Sequence, residues 1–234
     1  DLRFKPTIDG RTGKVIAFEA LLQWVHPELG EIAPDRFMPI AEDAGLGPAL
    51  TEQLLHKASA AAARWPAEIR LSVHVTAAQL HMPDFAQRLL AILAASGVAP
   101  ARLDLEIDEG ILIRGSGATQ ALLDPLRAAG IAVVANHFGT GYADLQNLQQ
   151  LRLDRIKIAP SFVGAMIHDR QAATMVKAFI SIGSGMDIPV SADGVMDEAQ
   201  RDALAELGCH EIQGLRYGAP LDAMAAVALL THGG

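Results

Sequence analysis

Cysteine, aromatic residues and long apolar runs are all scarce in this chain of 234 residues. The single cysteine, Cys209, rules out an internal disulfide and fits a reducing compartment. No apolar run approaches the roughly 20 residues that a membrane-spanning helix needs, and the first residues, DLRFKP, lack the pattern of a secretion signal. We therefore expect a cytoplasmic domain that was excised from a larger multidomain protein.

Positive charge is also in deficit. The chain has 19 Lys and Arg residues against 27 Asp and Glu residues, a net charge of -8, which disfavours non-specific binding to nucleic acids or to anionic membranes. Any anionic ligand would have to meet local positive charge. Hydrophobic residues, in contrast, make up 50% of the chain, which is enough for a substantial core at this length.

Strand-like apolar runs alternate with helical patterns along most of the chain. The predicted strands are 2–5, 15–22, 70–75, 102–107, 131–136, 155–158, 188–192 and 210–213. The predicted helices are 34–44, 48–65, 84–96, 119–129, 143–150, 161–184, 197–207 and 221–230.

This alternation predicts an α/β fold with a largely parallel sheet, and about eight strands in this length favour a closed TIM-type (β/α)8 barrel. The turn IDGRTGKV between the first two runs indicates a hairpin, so one strand near the N-terminus is expected to be antiparallel. Because the sequence shows no repeat, low-complexity tract or linker, residues 1–234 are predicted to form a single domain.

Polar residues stand at or near the ends of seven of the strand-like runs, where the active sites of such barrels lie. They are Glu19, His74, Glu106, Asn136 with His137, Lys157, Asp193 and Gln213. Any one of them could be a solvated charge or a member of a local ion pair. Their recurrence at the same end of the runs indicates a functional site.

The stretch IAVVANHFGTGYADL is the most informative of these strand ends. Asn136 and His137 close an apolar strand, and the glycines Gly139 and Gly141 then allow a turn that a ligand can approach closely. The tip has no carboxylate of its own. Asp108 and Glu109, beside Glu106, could supply carboxylates, but strand alternation is expected to turn at least one of them away.

The segment FEALLQWVHPELGEIAPDRFMPIAEDAGL, with Glu19 in its Glu-Ala-Leu triplet, resembles the signature of EAL domains. Active members of that family are phosphodiesterases that linearise the bacterial second messenger cyclic di-GMP. The similarity continues in the family's order through NHFGTGYADLQNL, LDRIKIAPSFV, ADGVMDEAQ and LGCHEIQGLRYGAPL. The resemblance implies the barrel with one antiparallel strand.

The resemblance also implies a chemistry, hydrolysis by two metal ions that polarise a water and bind the phosphodiester. Glu19 and Glu106 match metal-binding glutamates of the family, and Lys157 matches the lysine beside the nucleophilic water. These three residues would be catalytic remnants.

Other positions of the family's metal site differ in this chain. His74 replaces an asparagine ligand, Asn136 and His137 replace two adjacent aspartates shared between the metals, and AEGVE becomes ADGVM, with Asp193 and Met196. Two negative charges are thereby lost where two cations would meet, so a two-metal Mg/Mn site is not expected and no cofactor is predicted. An alternative is a different metal site built from His74, His137 and carboxylates such as Glu106 and Asp193.

Four positions match residues that hold the dinucleotide in the family, and two of the four match in kind. The arginine after the signature is replaced by Gln23, which removes a charge-assisted hydrogen bond worth about 1.5–3 kcal/mol. Lys5, Lys157 and Arg216 are expected to leave positive charge near the barrel mouth. The four matching positions are Lys5, Gln23, Gln213 and Tyr217.

These comparisons predict a catalytically inactive EAL-like domain, a regulatory or protein-interaction module in cyclic di-GMP signalling. The alternatives are a non-catalytic receptor for cyclic di-GMP and an active phosphodiesterase with a reduced metal set. The resemblance further implies a homodimer contact through the segment from Gly139 to Leu148, although the helical spacing of its apolar residues fits core packing equally well. Other expected partners are signalling domains in cis or in trans, with no nucleic acid and no membrane contact.

Overall fold

The computed structural model describes residues 1–114, 116–141 and 151–232. The eight predicted strands are present, some with shifted ends, and two further short strands follow the second of them. They are β1 (Leu2–Asp9), β2 (Val15–Leu22), β3 (Trp24–His26), β4 (Gly30–Ile32), β5 (Arg70–Val75), β6 (Leu103–Asp108), β7 (Ala132–Phe138), β8 (Arg155–Ile158), β9 (Val190–Ala192) and β10 (Glu211–Gln213).

Eight of the described strands close into a barrel in the order β1-β10-β9-β8-β7-β6-β5-β2. β1 runs antiparallel to both of its neighbours, β2 and β10, whereas the pairs between the other barrel strands are parallel. The predicted α/β fold, a TIM-type barrel with one antiparallel strand near the N-terminus, is therefore confirmed. The strands β3 and β4 form a separate hairpin beside it.

Helices cover the outside of the barrel and bury its outer face. They are α1 (Pro34–Asp43), α2 (Gly47–Ala62), α3 (Ala77–Leu80), α4 (Phe85–Ser96), α5 (Glu109–Arg114), α6 (Ser116–Ala128), α7 (Pro160–Ala165), α8 (Arg170–Gly185), α9 (Glu198–Glu206) and α10 (Ala223–His232). None of these described helices is both long and apolar enough to cross a membrane.

The hydrophobic core lies between the barrel wall and this helical layer. In β1 the even-numbered residues are buried, and Phe4 packs edge-on against Trp65 with 5.4 Å between ring centroids. The ring centroid of Phe18 in β2 lies 4.9 Å from that of the same indole. The odd-numbered residues of β1 face the barrel interior instead, because successive side chains of a strand point to opposite faces.

The amino-terminal end of the barrel is closed by charged side chains. The Asp104 carboxylate forms ion pairs with the guanidinium groups of Arg70 at 3.0 Å and Arg155 at 2.8 Å. Arg70 also pairs with the Glu211 carboxylate at 2.8 Å. All four residues are the first or second of their strands. Among the described residues these ion pairs fill the amino-terminal end, so a ligand would reach the barrel interior from the opposite end, where the parallel strands finish.

Some predicted elements were wrong in detail. The helix predicted over 161–184 is two helices, α7 and α8, because the Asp169 side chain accepts a hydrogen bond from the Gln171 amide at 2.7 Å and starts a new helix there. The sequence patterns also missed the β3–β4 hairpin and the short helices α3 and α5. The helix predicted over 143–150 lies outside the described residues.

Gly183→Ala is expected to lower the free energy of unfolding by about 1–3 kcal/mol, as overpacking does in a filled core. A methyl group there would collide with the Val190 side chain and lie 2.8 Å from the Ile188 carbonyl oxygen. Gly185, in the same helix, has no neighbour within 4 Å of that position, so Gly185→Ala serves as the control and should stabilise by up to about 1 kcal/mol. Urea unfolding of both variants measures the difference, and equal midpoints would refute it.

Candidate functional site at the carboxyl ends of the barrel strands

Lys157 of β8 lies between two glutamates inside the barrel. Its Nζ donates hydrogen bonds of 2.9 Å to Glu19 Oε2 and to both carboxylate oxygens of Glu106. All three residues are at most 8% exposed. Because an isolated buried charge is very costly, the ammonium group and the two carboxylates stabilise one another.

The two carboxylates share one ammonium group, and as a result the pKa of Glu106 is raised while that of Glu19 is lowered. Burial and the neighbouring Glu19 raise the pKa of Glu106 to about 7, against the attraction of Lys157. Burial would also raise the pKa of Glu19, but the charge of Lys157 and its hydrogen bond bring that pKa down to about 2. Burial alone would lower the pKa of Lys157, and the two glutamates raise it well above its usual value.

A second ion pair joins β1 to the end of β9. Lys5 Nζ lies 2.6 Å from Asp193 Oδ1, and the side chains are only 19% and 13% exposed. Gln213 of β10 is 1% exposed and donates to the backbone carbonyl of Lys5 at 3.2 Å. Gln213 therefore lies in the polar interior, below the mouth.

The expectation of spare positive charge at the mouth is wrong for all three cations that suggested it. Lys157 is held by two glutamates and Lys5 by Asp193. Arg216 pairs with the exposed Glu198.

The tips of β5, β6 and β7 bring His74, Asp108 and His137 together. Asp108 Oδ1 lies 2.9 Å from His137 Nδ1 and 3.2 Å from His74 Nε2, and the two imidazole rings are 6.3 Å apart. Asn136 is 5% exposed and pairs in register with Asp108. The predicted strand-end residues of this region thus form one cluster around a carboxylate.

The charges of this cluster stabilise one another. Burial would raise the pKa of Asp108, but the hydrogen bonds and charges of His137 and His74 hold it well below its usual range. Burial would lower the pKa of His74, and the contact with Asp108 raises it above the usual value. Asp108 is therefore held ionised between the two imidazole rings, and its carboxylate favours the protonated form of His74.

The glycine turn after β7 is fixed by Glu109, the first residue of α5. Its Oε2 accepts hydrogen bonds of 3.1 Å from the amides of Gly139 and Gly141. Gly139 has a φ of +94°, and a Cβ there would collide with the ring of Phe179. Glycine is therefore required at this position by both the conformation and the packing.

The structure does not bring Gln23 and Tyr217 into the same cluster. Gln23, just beyond β2, accepts a hydrogen bond from Arg3 Nε at 2.9 Å and donates to Glu31 at 3.0 Å. Tyr217 lines a cavity with Ile8 and residues at the start of β2, on the amino-terminal side of the barrel. Tyr217 therefore lies apart from the two clusters of strand-end residues, and its role in holding a ligand stays a prediction.

Sequence reasoning missed Arg3 and underrated Asp108. Arg3 lies two residues before Lys5 on β1, and Asp108 lies two residues after Glu106 on β6. Since side chains two apart on a strand share a face, the same alternation that selected Lys5 and Glu106 could have found both. The expectation that one of Asp108 and Glu109 turns away holds for Glu109, which binds the glycine turn instead.

This set of side chains fits a pair of divalent cations poorly. The carboxylates of Glu19 and Glu106 face an ammonium group, that of Asp108 faces two imidazoles, and Asn136 contributes a neutral amide. Within the described residues, no group of three or more His, Cys, Asp or Glu side chains is arranged to hold a metal ion. Two cations need several anionic oxygen ligands that no protein cation already neutralises.

The chain resembles known proteins over most of its length. It is 37% identical over 225 residues to a protein of Caulobacter vibrioides named as an uncharacterized signaling protein, covering 95% of this chain and 28% of that protein. It is 32% identical over 226 residues to the bifunctional diguanylate cyclase/cyclic di-GMP phosphodiesterase MucR of Pseudomonas aeruginosa, covering 95% of this chain and 33% of MucR. The chain thus spans about a third or less of the length of these relatives.

A solved structure, that of the PaMucR phosphodiesterase in complex with c-di-GMP, has the same fold. Its TM-score is 0.93 at 31% identity, and the match covers 97% of this chain and 93% of that one. The family model for the EAL domain matches residues 1–220. With the barrel topology and the placement of Glu19, Glu106 and Lys157 at one end of it, these matches establish that the chain belongs to the EAL domain family.

Proposed function

We propose that this EAL domain is catalytically inactive and serves as a regulatory or protein-interaction module in bacterial cyclic di-GMP signalling. Its partners would be signalling domains in cis or in trans. The observation that carries the proposal is the charge balance at the barrel mouth. Lys157 faces Glu19 and Glu106, and two imidazoles face Asp108.

Hydrolysis by two metal ions needs anionic ligands at the point between the metals. In this chain that point carries Asn136 and His137, which are neutral or cationic. His137 also binds a carboxylate that a metal ion would need, since its Nδ1 lies 2.9 Å from Asp108 Oδ1. A metal pair would have to displace both imidazoles from Asp108 and compete with Lys157 for Glu19 and Glu106.

The alternative is a receptor that binds cyclic di-GMP without cleaving it. Arg3 favours this alternative, because it places a guanidinium group against Gln23, where the family's arginine is missing. Its Nη1 lies 3.9 Å from Asp222, a long and exposed contact that leaves donors for a phosphate. MucR, a relative named as a phosphodiesterase, has a structure in complex with c-di-GMP, which supports the same ligand class for the receptor reading.

The test is a calorimetric titration with cyclic di-GMP in the presence and absence of Mg²⁺ or Mn²⁺, with chromatography of the same sample for the linear product. We expect no linear product under conditions in which an active EAL phosphodiesterase, run in parallel, converts its substrate completely. Formation of product that requires Glu19 would contradict the proposal.

The same titration separates the two non-catalytic functions. Binding with a Kd of about 1 µM or tighter, about 8 kcal/mol, would select the receptor. In that event Arg3→Ala should weaken binding about tenfold or more, whereas Arg11→Ala, at an exposed position at the closed end of the barrel, should leave it unchanged. Absence of binding at high concentration selects the interaction module.

A further inference from the structure

An apolar groove of about 350 Å³ lies between the β3–β4 hairpin and the helices α1 and α2, away from the ion pairs inside the barrel. Its floor consists of side chains that the fold buries, among them Phe37 at 6% and Leu54 at 5% exposure. The ends of β1 and β2 close it with Leu2 and Leu22. The groove is therefore a built feature of the fold.

Three large apolar side chains stand exposed around this groove. Trp24 is 44%, Ile40 67% and Leu46 55% exposed. The indole of Trp24 is held edge-on against Phe37, with 5.7 Å between the ring centroids. Single exposed apolar residues are common on protein surfaces, but three that line one groove mark a place where a partner binds.

The charge around the groove is acidic. Asp1 lines the groove and is 85% exposed. Gln23, also in the lining, donates to the exposed Glu31 at 3.0 Å, and the exposed Asp43 directly precedes Ala44 of the lining. Lys57, the cation among the described lining residues, lies 3.7 Å from Asp1. A partner that brings positive charge around an apolar face would complement both features.

We propose that this groove binds an amphipathic helix whose apolar face carries large aliphatic residues and whose flanks carry Lys or Arg. The helix α1, which forms one wall, has 10 residues and is therefore about 15 Å long, which matches about three turns of a bound helix. Apolar anchors at helical spacing would enter between Trp24, Ile40 and Leu46, and basic flanks would face Glu31 and Asp43. This inference specifies the kind of partner that the proposed interaction function needs.

The probe is a synthetic 18-residue helix of Leu and Lys, labelled for fluorescence anisotropy. Two control peptides accompany it: one with Glu in place of every Lys on the same apolar face, and one with the same composition scrambled so that no apolar face remains. The scrambled peptide controls for attraction between any basic peptide and a chain of net charge -8. We expect the Leu/Lys helix to bind about tenfold or more tightly than either control.

Variants place the binding in the groove. Ile40→Glu and Leu46→Glu change exposed side chains, so the fold should be kept, and each should weaken binding about tenfold or more. Met175→Glu is the matched control, since Met175 is a 40% exposed apolar residue on α8, and it should bind as the wild type does. Tryptophan fluorescence gives a second readout, because Trp24 is half exposed whereas Trp65 is buried at 4%.

Equal binding of the ordered and scrambled basic peptides, or binding that Ile40→Glu and Leu46→Glu do not weaken, would overturn the proposal. These outcomes are separate from the failure of the proposed function. Cyclic di-GMP hydrolysis, measured on the same preparations, would refute the inactive domain and leave the groove result standing.

Discussion

Lys157→Met is expected to lower the free energy of unfolding by about 3–5 kcal/mol at pH 7, the largest stability loss that we predict for a single substitution at the mouth. Methionine has a similar length and no charge, so the variant removes the ammonium group and keeps most of the volume. Glu19 and Glu106 are then left buried without the cation that both of them bind at 2.9 Å. Urea unfolding followed by circular dichroism measures the loss.

A matched exposed lysine controls for the removal of charge itself. Lys57 is 55% exposed and lies 3.7 Å from Asp1, so Lys57→Met should change stability by less than about 1 kcal/mol. Adding Glu106→Gln to Lys157→Met removes one of the uncompensated carboxylates and should recover part of the loss. If Lys157→Met cost no more than Lys57→Met, the ion cluster would not stabilise the barrel.

The same cluster gives the pH dependence of stability a definite sign. The pKa of Glu106 is raised by folding to about 7 from its ordinary 4.5, so its contribution is fully present below about pH 4.5 and is lost as the pH rises through 7. Glu106→Gln removes this titrating carboxyl group. The free energy of unfolding of the variant should therefore fall less between pH 4.5 and 7 than that of the wild type. A wild-type and variant curve of equal slope in this window would contradict the assignment.

The positions of the barrel strands along the chain were predictable from the sequence, because each strand is an apolar run that alternates with a helical pattern. The antiparallel β1 followed from the turn between Asp9 and Lys14. The β3–β4 hairpin could not be found in this way, because its strands have three residues each and are mostly exposed. A strand that short carries too few residues to show alternation.

The break between α7 and α8 was missed for a different physical reason. Apolar residues continue at helical spacing across residues 161–184, so periodicity favours one helix. The competing interaction is local, since the Asp169 carboxylate accepts a hydrogen bond from a backbone amide two residues later. Side chains of this kind end one helix and begin another without changing the hydrophobic pattern.

The sequence predicted which residues lie at the site better than it predicted how their charges pair. Glu19, Glu106 and Lys157 were selected separately as strand-end residues, but that one ammonium group contacts both carboxylates depends on barrel closure. The positive charge expected from Lys5 proved to be matched by Asp193, a residue 188 positions later. The net charge at a barrel mouth depends on ion pairs between residues that are far apart in the sequence, so it cannot be predicted from the cations alone.

Asn136→Asp combined with His137→Asp is expected to increase the affinity for Mn²⁺ about 100-fold or more over the wild type, which is about 2.7 kcal/mol. The substitutions add two carboxylates beside Asp108 and remove one of the imidazoles that bind it. A divalent cation a few ångströms from each new charge gains several kcal/mol even at a high effective dielectric constant of about 20. The backbone should tolerate the change, because His137 has a φ of +51°, a conformation that Asp and Asn adopt more readily than most residues.

Calorimetry with Mn²⁺ measures the affinity, and the thermal midpoint supplies a readout that does not depend on catalysis. Without metal, the double variant should melt below the wild type, since three carboxylates then crowd the tips of β6 and β7, and saturating Mn²⁺ should reverse the order. His137→Asn is the control: it removes the imidazole and adds no charge, so its affinity for Mn²⁺ should stay near that of the wild type. Unchanged affinity in the double variant would contradict the proposal that the loss of the two aspartates prevents a metal pair from binding.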